Sequence, residues 1–353
     1  LALDEPNSLD WAHYDDPQGL QDWAKNKIEG IDPSLYPALW IKAVAASVWS
    51  MEISDRGAEN RSEIEKAIEL SQDLSVDNSY LFRLLIAQIN LLVSEEYGVG
   101  AVIPIEHREK IYEKKIDLAE TLNLPAKKAV LKVALGLFLI ESNQQNIGIK
   151  TMHEAIRDLA KAPDASEFDL MISKDLYAVS LGSLGSRAKS RAFYEDLEAF
   201  CGRTKLRSFC IRVDHNYAYF LIDEENILDH EQSIKLLKRA LISAEDLKHS
   251  TLIAALSNSL MSTNDRLGKY EEAKKYGLRA IEGFTASKEG MWLADSQMKM
   301  GSVLINLKQP ELALKYLQSA SEAFPLDYYS DQYFLANTRV KAYKMLKNFD
   351  KAF

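Results

Sequence analysis

Four stretches of this chain carry one short pattern at an even interval of roughly 40 residues, within the range of helical-repeat periods, and that repetition limits the fold more than any other feature. Leu267-Gly268-Lys269-Tyr270-Glu271-Glu272-Ala273 aligns with Leu307-Lys308-Gln309-Pro310-Glu311-Leu312-Ala313 and with Leu346-Lys347-Asn348-Phe349-Asp350-Lys351-Ala352. The turn positions therefore fall at 268, 308 and 347, an almost constant step. One period earlier, Leu228-Asp229-His230-Glu231-Gln232-Ser233 holds the equivalent place, followed by Leu237 and Ala240-Leu241. A short turn needs Gly or a small polar residue, and the aromatic or Pro two residues on covers it. The Ala five residues past the turn sits where two antiparallel helices approach closely, and Ala280 or Ala320, seven residues later, meets the next hairpin. Such a unit cannot bury its own apolar face, so neighbours must stack into one continuous core.

The remaining sequence follows helical spacing. Fifteen Gly and nine Pro in 353 residues leave few helix breakers, and 47% apolar content is that of a folded chain. Asp16-Pro17 and Asp32-Pro33 each read as a helix start, with Asp capping and Pro in the first turn. The second leads into Leu39, Trp40, Val44 and Val48. Spacing predicts helices over 61–75, 79–94, 105–122, 126–142, 147–161, 168–183, 188–200, 206–223, 229–244, 248–265, 269–284, 290–306, 310–324 and 330–346, and another beginning near 349. Ala101-Val102-Ile103-Pro104 is short and Pro-terminated and reads equally as strand or loop. Trp23 and Trp40 fit buried positions, Trp49 lies nearby, and Trp11 is placed to cap an open end.

Met300-Gly301, Leu304, Lys308, Pro310, Ala313, Leu317, Ala320 and Pro325 resemble the tetratricopeptide repeat (TPR) family, and Leu260, Gly268, Tyr270, Ala273 and Ala280 match it in part. Met261 and Asn264 depart from the small and aromatic residues usual there, and a spacing near 40 replaces the usual 34. The resemblance implies an all-α, right-handed superhelix of antiparallel helix pairs, a TPR-like solenoid with repeats of about 40 residues. The expected organisation is an arm over 1–15, degenerate hairpins over 16–125, degenerate TPR-like repeats over 126–205 and clearer repeats over 206–353, the last truncated. Leu135-Gly136, Leu139, Met152 and Ala155 mark one of the degenerate units. The Asp16-Pro17 start, the long repeat and the final run from Tyr343 to Ala352 are similar to the extracytoplasmic TPR arrays of bacterial membrane sensors that end in a histidine kinase or diguanylate cyclase. That likeness implies a periplasmic or extracytoplasmic domain relaying a bound state to an output module outside the fragment. Stand-alone cytoplasmic arrays that regulate transcription or act as scaffolds are the alternative.

Charge and motifs narrow the chemistry. The chain carries 43 basic and 52 acidic residues, a net charge of −9 that speaks against nucleic acid as a partner. No apolar run is long enough to span a membrane, so membrane contact is expected only through segments outside the fragment. Gly182-Ser183-Leu184-Gly185-Ser186 lacks the strand and the Gly-Lys-Ser/Thr ending of a phosphate loop. The six histidines form no metal-binding spacing, and Asp223-Glu224-Glu225 and Glu271-Glu272 lie beside turns, where negative charge suits a helix start. We therefore expect no cofactor, metal or catalytic residue, and an enzyme is the third-ranked reading.

A binding surface is the first. In such an array the first helix of each pair makes most of the concave face, and the outward positions are Asn258, Ser262 and Asp265, then Asp295, Met298, Ser302 and Ile305, then Asn337 and Lys341. Asn258 and Asn337 share a register position, and their amides can pair with the backbone of an extended peptide. A peptide, protein segment or small molecule is the expected partner, with a homodimer as a further option. Cys201 and Cys210 flank a short loop and read either as a disulfide or as two buried thiols. Arg203, Lys205, Arg207 and Arg212 form the most basic local patch, suited to an acidic partner or to a solvated loop. Tyr217, Tyr219, Phe220, Tyr328, Tyr329, Tyr333 and Phe334 divide between core packing and ligand contact.

Overall fold

The computed structural model describes residues 17–49, 61–72, 74, 76–97, 103–222, 227–323 and 329–348. Among the described residues there are sixteen α-helices and no strand. They are α1 Pro17–Gly30, α2 Pro37–Trp49, α3 Arg61–Gln72, α4 Asn78–Tyr97, α5 Ile105–Thr121, α6 Pro125–Glu141, α7 Gln145–Leu159 and α8 Glu167–Ser183. Then follow α9 Arg187–Cys201, α10 Arg207–Ile222, α11 Ile227–Asp246, α12 Ser250–Arg266, α13 Tyr270–Ser287, α14 Gly290–Asn306, α15 Pro310–Ala323 and α16 Tyr329–Met345.

The chain divides into two compact units, residues 1–209 and 210–353. In the first, each helix from α1 to α9 packs on the next, and α2 also meets α4 and α6 meets α8. In the second, each helix from α11 to α16 packs on the next, while α12 meets α14 and α14 meets α16. Contact with the following helix and with the next but one is the arrangement of a TPR-like solenoid of paired helices.

Turn chemistry sets the period. Asn143, Gly185, Gly268, Lys308 and Lys347 have left-handed backbones and close the first helix of a pair, and Asn123, Lys248 and Lys288 do the same between pairs. At Lys308, its own N–H donates to the Ile305 carbonyl at 3.0 Å and the Gln309 N–H donates to the Leu304 carbonyl at 2.8 Å. The same two bonds recur at all eight positions, satisfying carbonyls that the helix end leaves open. Helix starts are set by Pro at the first position of α1, α2, α6 and α15, and at α8 by a capping box between Ser166 and Asp169.

The paired helices are held close by a small residue facing a large one. Gly136 and Gly301 each lie seven residues before a turn, and a Cβ on Gly301 would stand 2.6 Å from Leu317 Cδ2. A Cβ on Gly136 would run into Met152 Cγ. In the α12–α13 hairpin the two roles are exchanged. Met261 holds the place of the small residue, and Gly277 stands opposite, where a Cβ would be 2.5 Å from Met261 Sδ. The departure at Met261 is thus compensated across the pair. Ala273, Ala280, Ala313 and Ala320 are all fully buried.

Two expectations are corrected. Asp32-Pro33 does not open a helix: Asp32 Oδ1 accepts from the Ser34 N–H at 2.8 Å and the Asp32 carbonyl from the Tyr36 N–H at 3.0 Å. That local side-chain bond favours a turn, and α2 waits for Pro37. Three of the positions expected to face outward do not: Met298 packs with Ala294, Leu317, Ala320 and Leu335 in a buried cluster, Ile305 belongs to another, and Asn258 is buried against α14. Trp40 is buried, with Lys66 over its ring. Asp16, Trp11, Pro325, Tyr328, the helix near 349 and the stretch from Ala101 to Val102 lie outside the described residues, as do the side chains of Trp23, Trp49 and Tyr329.

Candidate functional site: a polar row on the first helices of residues 210–353

The first helices α12 and α14 carry polar side chains that bond to one another from helix to helix. Asn258 Nδ2 on α12 donates to Asp295 Oδ2 on α14 at 2.8 Å, and Lys299 Nζ, one turn along α14, reaches the same oxygen at 2.6 Å. Asn258 is only 5% exposed, and its Oδ1 is buried without a hydrogen-bond partner. Nearer the turns, Asn306 Nδ2 donates to Asp265 Oδ1 at 2.9 Å. Half-burial raises the Asp265 pKa, while hydrogen bonds from Asn306 and Ser302 hold it back. Ser262 spends its hydroxyl on the Asn258 carbonyl at 3.2 Å.

Asn258 is thereby brought together with Asp295, and Asp265 with Ser302. Ile305 is buried with Val303 and Leu304. Asn337 and Lys341 are exposed on α16, beside Tyr333, which is 72% exposed, and Phe334. Tyr217 and Phe220 are buried with their rings 6.2 Å apart and belong to the core, whereas Tyr219 is 64% exposed.

Sequence reading missed Lys299, Asn306, Ser259 and His215. The Asp295–Lys299 spacing of four was a legible helical ion pair; the partners on neighbouring helices had no local signal. His215 Nε2 lies 2.7 Å from Ser259 Oγ, and burial, with the nearby Lys299 charge, lowers the ring's pKa to about 4. A Ser–His contact is the start of a nucleophile, but Ser259 sits inside α12, where the backbone N–H groups that an oxyanion needs are committed to the helix. The contact cross-links helices. Among the described residues no three His, Cys, Asp or Glu side chains converge as metal ligands.

Elsewhere, Arg203, Lys205 and Arg207 are exposed and Arg212 is half-buried. Cys201 and Cys210 are both disulfide-bonded.

No family model matches the sequence, and no curated protein is significantly similar to it. Solved structures do share the fold. A Rap protein complexed with competence and sporulation factor is 12% identical over 90% of this chain and 85% of its own, with a TM-score of 0.58. The apo form of RapI is 14% identical over 87% of this chain and 84% of its own, TM-score 0.58. A signal transduction ATPase with numerous domains (STAND) and a TPR sensor, from Pyrococcus horikoshii, is 14% identical over 94% of this chain and 52% of its own, TM-score 0.61. At such identities the likeness is one of fold: an all-helical, TPR-like solenoid.

The comparison overturns the periplasmic or extracytoplasmic placement. Solved structures that share this fold include Rap proteins and a signal transduction ATPase, none of them described as a membrane kinase sensor. Separately, no described helix is long and apolar enough to cross a membrane.

Proposed function

We propose that the chain is a non-catalytic TPR-like scaffold whose first-helix row in residues 210–353 binds an extended peptide or protein segment. The observation that carries the reading is Asn258: an amide almost wholly buried, its donor spent on Asp295 and its acceptor left without a partner. An unsatisfied buried acceptor costs roughly 1–3 kcal/mol, which a peptide N–H reaching the row would recover after a small side-chain rotation. Asn337, Lys341 and Tyr333 supply exposed polar and aromatic contacts further along. The similar Rap protein is described in complex with a factor, which supports a separate bound partner over a second copy of the chain.

A narrower form adds relay of the bound state to an attached signalling module, as the TPR sensor of the STAND protein suggests. The test is a thermal-shift and titration screen of short linear peptides and metabolites against the wild type and the Asn258→Ala, Asp295→Ala and Asn337→Ala variants, with circular dichroism as the folding control. Saturable peptide binding weakened in folded Asn258→Ala and Asn337→Ala is the expected result. No peptide hit, or hits indifferent to all three changes, would overturn the proposal.

A further inference from the structure

The loop between α9 and α10 borders a half-open pocket of about 210 Å³ lined by Glu167, Phe168, Phe200, Arg203, Thr204 and Leu206. It lies wholly within residues 1–209. Its floor is apolar. Phe168, Phe200 and Leu206 are buried, and the edge of Phe209 meets both rings, at 5.6 Å from Phe168 and 5.8 Å from Phe200. Its rim is charged. Arg203 Nη2 donates to Glu167 Oε1 at 2.7 Å, and the guanidinium lies 5.3 Å from the Phe200 ring centre. Thr204 Oγ1 accepts from the Leu206 N–H at 3.3 Å, which fixes the loop and leaves the hydroxyl proton to donate.

The one cation of the lining, Arg203, is paired with its one carboxylate, Glu167, and two further basic residues lie beside the pocket. The chain as a whole is acidic, yet Arg203, Lys205 and Arg207 stand exposed within five residues of one another, and Glu167 is the one carboxylate among the lining residues. We infer that this pocket binds a small carboxylate with an aromatic body, its ring against Phe168 and Phe200 and its carboxylate on Arg203. The space is below the ~300–1,000 Å³ of sites for drug-sized ligands, so the ligand is the size of one aromatic acid. Planar Arg203 accommodates both features, since a guanidinium binds a carboxylate through two parallel bonds and stacks on an aromatic face. Glu167 already occupies that cation, and the ligand must displace it. Because the pair is exposed, displacement is inexpensive.

Titration calorimetry of the full chain with 3-phenylpropionate tests this, with 3-phenylpropionamide as the uncharged counterpart. Arg203→Gln should weaken binding by about 10-fold or more, the worth of a charge-assisted bond. Glu167→Gln, which frees Arg203, should tighten it by about 2–5-fold. That gain cannot come from a merely destabilised fold. A peptide ending in a free Phe carboxylate separates a chain terminus from a free acid as the natural source: binding of 3-phenylpropionate with exclusion of the peptide assigns the free acid, and binding of both admits a terminus. No saturable binding, equal binding of the amide, or no gain in Glu167→Gln would overturn the inference.

Discussion

Exchanging the small and large residues between α12 and α13 makes a coupled pair whose energy can be worked out in advance. Met261 is fully buried, so Met261→Ala should destabilise by about 2–5 kcal/mol, transfer loss plus residual cavity. Gly277→Ala sets a methyl 2.5 Å from Met261 Sδ and 2.5 Å from Met300 Cε. Overpacking costs about 1–3 kcal/mol, and the lower part of that range applies because both clashes are with flexible side-chain ends. Ala also gains about 1 kcal/mol of helix propensity over Gly, leaving the single change mildly destabilising. With both changes made, the Met261 clash is gone and the new methyl fills part of the cavity. The double variant should then be less destabilised than the sum of the singles by about 1–2 kcal/mol. Urea unfolding of the four chains, followed by far-ultraviolet circular dichroism, measures this. Additivity within about 0.5 kcal/mol, the behaviour of independent sites, would refute the exchange.

Four further outcomes follow from individual residues. The His215 ring titrates near 4 when folded, against 6.5 when free. The unfolded chain therefore takes up its proton first, and stability should be full above about pH 6.5, fall towards pH 4 and level off below, with a limit of about 3 kcal/mol. His215→Gln should remove that part of the acid limb, and an unaltered pH–stability curve would reject the account. Lys308→Gly, which relieves a left-handed backbone, should stabilise by about 1 kcal/mol. Gly268→Ala should cost a similar amount, since only the backbone angle opposes it; equal midpoints in denaturant would contradict both. Gly148→Ala should be strongly destabilising because its Cβ would strike the backbone carbonyl of Gly136, whereas Gly290→Ala, with open space around it, should be tolerated; thermal melts compare them. For Cys201 and Cys210, mass analysis of the denatured, unreduced chain should find no alkylated thiol, and reduction should cost roughly 2–3 kcal/mol; two reactive thiols would reject the bridge.

Much of the fold was legible because it is local. The turns at 268, 308 and 347 all carry left-handed backbones, and the helices between them begin and end within a few residues of the periodic pattern. Local signals also misled: Asp32-Pro33 satisfies the rule for a helix start, but its Asp closes a turn. Facing was harder than period. Met298, Asn258 and Asn337 occupy one register, yet Met298 and Asn258 are both buried and Asn337 is exposed, because the packing of the neighbouring helices decides which side is covered. Bonds such as Asn258 to Asp295, His215 to Ser259 and Asn306 to Asp265 join side chains a whole repeat apart on different helices. A single sequence holds no periodic trace of such pairings.

The alternating bulk at the hairpin seams gives the array an address system. Hairpins of near-identical length and turn geometry are, on backbone grounds alone, interchangeable modules. A hairpin of α12 with α15 in place of α13 would drive Met261 into Leu317, and a hairpin of α14 with α13 in place of α15 would leave Gly301 facing Gly277 across a hole. Mispairing during folding, or recombination that splices one half-unit onto another, is thus penalised at the seam itself, while transplanting an intact pair is not.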